Sequence, residues 1–193
     1  MTKTARMLTA AATALLAGVA LTGCTINLGA TSGEHDMGMM DENKTTYTAD
    51  DIMFMQMMIP HHQQAVNMGT LAETRASNPK VKALAAQIKA EQAPEIAEMK
   101  QWLKDAGAGM TMNHSMTMSG MLTEAEMTKL ENSTGAEFDR LYLEGMIGHH
   151  EGAIEMAKMV IDSNTANTHA LGHAINDSQT KQIAYMKELL AKL

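Results

Sequence analysis

Residues 53–71, MFMQMMIPHHQQAVNMGTL, align without gaps on residues 141–159, LYLEGMIGHHEGAIEMAKM, at an offset of 88 positions. Six of the 19 aligned positions are identical. Apolar residues recur at three- and four-residue spacing in both stretches, which is typical of amphipathic helices. The repeat therefore predicts two long helices that carry the same side chains on the same face. The identical pairs are Met58/Met146, Ile59/Ile147, His61/His149, His62/His150, Ala65/Ala153 and Met68/Met156.

A second apolar stripe follows each of these helices. The stripe that starts at Leu84 matches the one that starts at Leu171, at an offset of 87. Two related helical hairpins bury their apolar faces most simply as an all-α four-helix bundle. Repeat 1 is expected at about 49–106 and repeat 2 at about 134–193, with a loop at 107–122 between them.

Capping patterns predict where individual helices begin. Thr48 with Asp51 predicts the start of a helix over about 49–76, and Asn78-Pro79 the start of the next. Thr123 with Glu126 predicts a short helix. Thr134 with Glu137 predicts a longer one that reaches about residue 163.

The composition supports one helical domain. The chain has 193 residues, of which 45% are hydrophobic but only 3% aromatic, whereas 21 are Met. Strands prefer aromatic and β-branched residues, so an all-β fold is not expected. So many thioethers also exceed what core filling requires, which is a first indication of chemistry.

The amino terminus has the pattern of an export signal. Lys3 and Arg6 precede an apolar run that is short for a membrane span, and the segment 21–24, Leu-Thr-Gly-Cys, resembles a bacterial lipobox. We therefore expect a signal peptide at 1–23, a lipid anchor on Cys24, a flexible tether at 24–46 and the folded domain at 47–193. The alternative is a secreted protein without the lipid. Either reading places the domain on the extracytoplasmic side.

Charge and cysteine content restrict the partners. The net charge is −7 and Cys24 is the only cysteine. An acidic chain is not expected to bind nucleic acid, whereas it attracts cations. A domain without thiols must bind soft metals through thioether or imidazole groups.

Each repeat carries a Met-x-x-His-His motif. Met58 lies three and four positions before His61 and His62, so the thioether and an imidazole share one helix face. The apolar stripe places His62 nearest the bundle axis and His61 to one side. Core packing is the alternative for such residues, but the His pair is retained in both diverged copies. The predicted helical ligands are Met58, His61, His62, Met68, Met146, His149, His150 and Met156.

Two glutamines interrupt the second stripe of each repeat. Counting residues outward from the predicted turns, near residues 77 and 165, places Gln92 opposite His62 and Gln179 close to opposite His150. Either these amides hydrogen-bond the imidazoles, as supporting groups do in metal sites, or they form buried polar pairs that fix helix register.

The loop between the repeats is rich in methionine and has no helical periodicity. Thioethers without an evident core suit a soft cation such as Cu(I) or Ag(I). A low-complexity linker is the alternative. The candidate loop ligands are Met110, Met112, His114, Met116 and Met118.

The doubled motif resembles the bacterial family catalogued as domain of unknown function 305, over about residues 47–193. The resemblance implies a ferritin-like bundle that is exported or membrane-anchored, and some relatives bind copper. Ferritin-like di-iron enzymes use Glu-x-x-His motifs. No Glu or Asp lies three residues before a His on these helices, which disfavours di-iron chemistry.

Three functions remain open from the sequence. The favoured one is an anchored protein that sequesters or relays Cu(I) without turnover, for an unidentified export or delivery partner. The alternatives are a metal-dependent oxidase and a structural or interaction module with a Met-rich core. Imidazole ligation predicts that copper binding weakens below about pH 6, because the unperturbed His pKa is about 6.5.

Overall fold

The computed structural model describes residues 45–112 and 118–193. The described part of the chain is all-helical, with five helices and no strand. None of these helices is long and apolar enough to cross a membrane. The signal peptide, Cys24 and almost all of the tether lie outside the described residues. The helices are α1 (Ala49–Arg75), α2 (Pro79–Asp105), α3 (Glu124–Asn132), α4 (Gly135–Ala157) and α5 (Ala166–Leu190).

Most of the predicted helix starts are confirmed. Thr48 and Asp51 cap each other at the start of α1, Asn78 accepts from the Lys80 amide ahead of Pro79, and Thr123 forms a capping box at α3. Thr134 is the N-cap residue of α4 as predicted, but the expected capping box does not form, since the Thr134 side chain makes no capping hydrogen bond. The next residue, Gly135, has φ of 66°, which turns the chain away from the geometry of a capping box.

Helix α4 ends earlier than expected. It stops at Ala157 rather than near residue 163, because the chain tightens into turns in which the Met159 and Val160 amides donate to carbonyls three residues back. Val160 is fully buried in these turns. Because the apolar Val160 falls at helical spacing after Ala157, the sequence pattern continued beyond the end of the helix.

Consecutive long helices pack as hairpins, α1 on α2 and α4 on α5, and α1 also contacts α4. Their apolar side chains form two separate clusters. Along α1 and α5 the chain passes from the first cluster to the second, and along α2 and α4 it passes from the second to the first. The two hairpins thus run in opposite directions across the clusters, which is a pseudo-twofold arrangement. The first cluster includes Phe54, Met58, Ile96, Met99, Met156 and Leu171, and the second Met68, Leu84, Ile88, Phe138, Met146 and Met186.

A polar layer separates the two apolar clusters on all four long helices. Its side chains are buried although each can hydrogen-bond or ionise. Such groups are stable in a protein interior only where partners satisfy them. The layer consists of His61, His62, Gln92, His149, His150, Gln179 and Gln182.

Two aspartates join the hairpins reciprocally. Asp51 at the start of α1 accepts from Thr165 and Thr168, at 2.7 and 2.6 Å, at the start of α5. Asp139 near the start of α4 accepts from the Ser77 and Asn78 amides, at 3.1 and 2.8 Å, before α2. Each repeat thus holds the turn of the other repeat.

Candidate metal-binding site

The four predicted histidines lie halfway along α1 and α4, inside the polar layer. All four have an exposed fraction of 0%. Helix α1 continues through Pro60, which faces solvent. Proline has no amide hydrogen to donate, so the helix ladder misses one bond directly before the histidine pair.

His61 and His149 stack on each other where α1 meets α4. Their ring centroids are 3.7 Å apart and the ring planes differ by 36°. The sequence predicted that His61 and His149 lie to one side of the bundle axis. This prediction is wrong, because these two rings form the contact between the repeats. His61 Nε2 lies 3.2 Å from the Ser119 carbonyl oxygen, and His149 Nε2 lies 3.0 Å from the His61 carbonyl oxygen.

His62 and His150 turn instead toward the second helix of their own hairpin. His62 Nε2 is 2.8 Å from Glu95 Oε2, and His150 Nε2 is 2.7 Å from Gln182 Oε1. The Gln182 amide nitrogen in turn donates to Glu91 at 2.6 Å. Because a carboxylate only accepts, the amide orientation of Gln182 follows from Glu91.

These partners assign one tautomer to all four rings. Each Nε2 faces a carbonyl, carboxylate or amide oxygen that accepts a hydrogen bond, so each Nε2 carries the proton. Each Nδ1 therefore has a free electron pair, which is the form in which imidazole binds a metal. The fixed Nε2–H bond is the usual support of a metal-ligating histidine.

All four Nδ1 atoms are buried without a hydrogen-bond partner among the described residues. A buried polar atom left unpaired costs about 1–3 kcal/mol. Buried atoms of this kind call for a further partner, such as an ordered water or an ion. A cation that accepts these electron pairs would satisfy them.

Burial keeps the imidazoles neutral. Desolvation, with a smaller contribution from the neighbouring His62, lowers the pKa of His61 to about 3. Desolvation also lowers the pKa of His150 to about 4, against the opposing hydrogen bond to Gln182. The pKa of His149 is lowered well below its usual value by burial and by the adjacent rings, His61 first. These three rings thus carry no competing proton near neutral pH.

Gln92 and Gln179 are buried in the layer as the stripe predicted, but they do not accept from the histidines. Both polar atoms of the Gln92 side chain, and Oε1 of Gln179, have no hydrogen-bond partner in the described structure. The acceptors are Glu95 and Gln182, each one helical turn further along. The expected hydrogen bonds from the histidines to Gln92 and Gln179 are therefore not formed. The histidines bond residues one helical turn further along.

The four helical methionines are also buried, within the clusters that border the layer. Met58 and Met156 belong to the first cluster, and Met68 and Met146 to the second. Within the described ranges, no three His, Cys, Asp or Glu side chains are grouped as metal ligands.

The methionine loop is only partly described. Met110 is 45% exposed, whereas Met112 and Met118 pack partly buried against the first cluster. The expectation that these two lack a core is wrong. His114 and Met116 lie outside the described residues.

The ends of this loop are tied to α1 on either side of His61. Gln56 donates to the Gly109 carbonyl at 2.7 Å. Gln64 donates to the Leu122 carbonyl at 2.9 Å and accepts from the Leu122 amide at 2.8 Å. Ser119, which accepts from His61, lies between these two attachments.

Sequence reasoning missed Glu91, Glu95, Gln182 and Ser119. A signal existed for two of them, because Glu95 and Gln182 occupy equivalent positions at the offset of 87 and each lies three residues after a predicted glutamine. Ser119 contributes its backbone carbonyl, which any residue type provides.

Solved structures resemble this chain over most of its length. A DUF305 protein from Streptomyces coelicolor is 32% identical and aligns over 74% of this chain and 93% of its own, with a TM-score of 0.71. A DUF305 fragment from Deinococcus radiodurans is 27% identical over 77% and 99%, with a TM-score of 0.70. CopM in its Cu(I)-bound form is 30% identical over 76% and 98%, with a TM-score of 0.63.

CopM has also been solved in Cu(II)-bound and Ag-bound forms. No curated protein matches the chain. The model of the family described as domain of unknown function (DUF305) matches residues 51–190, which include both Met-x-x-His-His motifs. This chain belongs to the DUF305 family.

Proposed function

We propose that this protein binds copper, chiefly as Cu(I), through the histidines of the polar layer and the methionines beside them, and sequesters or relays it without turnover. The observation that carries the proposal is the set of four buried Nδ1 atoms that have no partner among the described residues. The matching Nε2–H bonds hold each ring in the form that binds a metal.

The choice of copper follows from the donor set. Thioether and neutral imidazole are soft or borderline ligands that suit Cu(I) and Ag(I), whereas hard cations prefer oxygen. CopM, a protein of similar sequence and fold, occurs in Cu(I)-, Cu(II)- and Ag-bound forms. The loop methionines Met110, Met112 and Met118 would add capacity at lower affinity.

We also propose that the four long helices form a ferritin-like four-helix bundle. The contacts of α1 with α2 and α4, and of α4 with α5, support it. The Gln182–Glu91 hydrogen bond links α5 to α2 and would close the ring of helices.

The proposed location is the extracytoplasmic face of the membrane, with a lipid on Cys24. The name of the Streptomyces coelicolor relative describes it as a secreted protein, which supports export. Cys24→Ala should abolish lipidation and move the protein out of the membrane fraction, or leave its signal uncleaved. Unchanged fractionation and unchanged intact mass would refute the anchor.

Replacing thioethers at constant volume tests the copper proposal. Met58→Leu/Met146→Leu removes two sulfur donors, while Leu fills a Met site at a cost below about 1.5 kcal/mol. We expect Cu(I) affinity, measured by competition with a chromophoric chelator, to fall by about tenfold or more. Met55→Leu is the matched control, because Met55 is equally buried in the first cluster but lies outside the motif.

Two results would contradict this proposal. One is unchanged Cu(I) affinity and stoichiometry in the double variant. The other is an affinity loss in Met55→Leu as large as that in the double variant, which would assign the effect to packing.

A further inference from the structure

The two repeats differ by one charge at the group that accepts the hydrogen bond from the second histidine of each motif, His62 or His150. Positions 95 and 182 are equivalent at the offset of 87, and each side chain accepts the hydrogen bond from its histidine's Nε2. Position 95 is Glu, whereas position 182 is Gln. The symmetry of the motifs is therefore not carried through to their hydrogen-bond partners.

In the first repeat the carboxylate acts directly. Glu95 Oε2 lies 2.8 Å from His62 Nε2, and the Glu95 side chain is 20% exposed while that of His62 is fully buried. A hydrogen bond to an ionised group is roughly twice as strong as a neutral one. The carboxylate therefore draws the Nε2 proton toward itself and increases electron density on the ring.

In the second repeat a neutral glutamine side chain lies between the histidine and the carboxylate. His150 donates to the neutral Gln182 amide at 2.7 Å, and that amide donates to Glu91 at 2.6 Å. The Glu91 charge reaches the imidazole only by polarising the intervening amide. His150 is thus held in the same tautomer as His62 but gains less electron density.

A carboxylate that accepts from a ligating histidine raises the basicity of that ligand. Metal affinity increases with the donor strength of Nδ1, and a more basic nitrogen stabilises Cu(II) relative to Cu(I). Two sites with otherwise repeated ligands would then differ in affinity and in reduction potential.

We propose that Glu95 is a positioning residue that makes His62 a stronger copper ligand than His150, so that the first repeat fills before the second. This inference rests on the proposed copper binding. It assigns an order of filling to sites that the repeated motifs alone present as equal.

Silver provides a redox-inert probe of the filling order. We expect Ag(I) titration of the full chain, followed by ¹⁵N NMR of the imidazoles, to shift the His62 Nδ1 resonance before that of His150. Glu95→Gln keeps the shape and the acceptor but removes the charge, so it should weaken the tighter step by about tenfold and reduce the difference between the steps. The copper-loaded variant should also have a higher Cu(II)/Cu(I) potential than the wild type, which a purely structural role would not produce.

Two further variants complete the test. Glu98→Gln removes a carboxylate from the same groove between α2 and α5, which Glu95 also lines, and controls for overall charge. Glu91→Gln/Gln182→Glu transfers the direct carboxylate to His150 and should tighten the weaker step by about tenfold. This double variant carries the test if Glu95→Gln fails to fold.

The outcomes separate the two proposals. Simultaneous shifts of His62 and His150, or a Glu95→Gln variant that matches Glu98→Gln, would overturn the inference while leaving copper binding intact. Failure of the wild-type chain to bind Ag(I) or Cu(I) would instead overturn the proposed function.

Discussion

At the scale of single residues, the site is defined by which imidazole nitrogen is free. The repeated motif predicted the four histidines, because both diverged copies retain them. It did not predict their tautomers, which depend on Glu95, Gln182 and two backbone carbonyls from other segments. Counting residues outward from the predicted turns located the side-chain partners on α2 and α5 to within one helical turn. It could not do better, because it does not fix how far a side chain leans along its helix.

The pH dependence of copper binding should differ from that of exposed histidine. An unperturbed imidazole must lose a proton to bind metal below about pH 6.5. The pKa of His61 is lowered to about 3 and that of His150 to about 4, so these rings are already deprotonated at pH 5. Proton competition at His61 and His150 should therefore leave Cu(I) affinity little changed between pH 7 and 5 and lower it only near pH 4.

Competition titrations of Cu(I) at pH 7, 6, 5 and 4 measure this dependence. A titration of the Cu(I) chelator alone at each pH gives the correction for its own protonation. A decline of affinity that begins near pH 6.5 would show that the buried rings titrate normally.

At the scale of elements, the end of the methionine loop packs on α4, the helix that carries the second motif. Ser119 and Gly120 pack on α4 at Gly148 and Gly152, and a Cβ at Gly152 would collide with the Ser119 carbonyl. That carbonyl is the one that accepts from His61. A small residue on α4 thus allows a loop backbone to support a ring on α1, and no helical pattern in the sequence reveals such a contact.

Two glycine-to-alanine variants in the same helix should therefore have opposite effects. Ala is favoured over Gly in a helix by about 0.5–1 kcal/mol, and a Cβ at Gly148 meets nothing within 4 Å. Gly148→Ala should stabilise the fold by that amount. Gly152→Ala should instead destabilise it by about 1–3 kcal/mol, because Ser119 must move.

Urea denaturation of both variants against the wild type gives the two free energies of unfolding. The His61 imidazole resonances should move in Gly152→Ala and stay in place in Gly148→Ala. Equal stability of the two variants would show that the loop does not rest on Gly152.

At the scale of the whole molecule, two features follow the pseudo-twofold relation between the repeats. One is the polar layer between two apolar clusters, and the other is the reciprocal pair Asp51 and Asp139. These aspartates are 88 positions apart, the same offset as the motifs, but they lie just outside the stretch in which the repeat is evident. The hairpins and their helices were predictable from local periodicity, whereas the contacts between the repeats depend on polar side chains that local patterns do not pair.

The polar layer should make the metal-free protein sensitive to acid. Folded His61, His149 and His150 have a lowered pKa, so below about pH 6.5 the unfolded chain binds protons that the folded chain cannot. The free energy of unfolding therefore falls as the pH decreases from about 6.5 toward 4. For a single group the slope is at most about 1.4 kcal/mol per pH unit, reached between its folded and unfolded pKa values.

The loss grows with the number of such histidines, and the whole stability of an ordinary domain is only about 5–15 kcal/mol. Asp51 is also expected to lose a stabilising interaction in acid, because hydrogen bonds from Thr168, Thr165 and Thr48 lower its pKa despite the opposing effect of burial. Its contribution is retained until the pH falls below the ordinary carboxyl range. Losses between pH 6.5 and about 5 therefore report chiefly on the histidines.

Urea denaturation with a chelator present, at pH 7.5, 6.5, 5.5 and 4.5, tests this dependence. His173→Asn, which replaces an exposed histidine on α5, is the control and should leave the pH profile unchanged. Saturating Ag(I) should shift the loss of stability to lower pH, because a ligand that binds only the folded state stabilises it. A free energy of unfolding that stays constant from pH 7.5 to 4.5 would mean that the folded chain takes up protons at these rings as readily as the unfolded chain does.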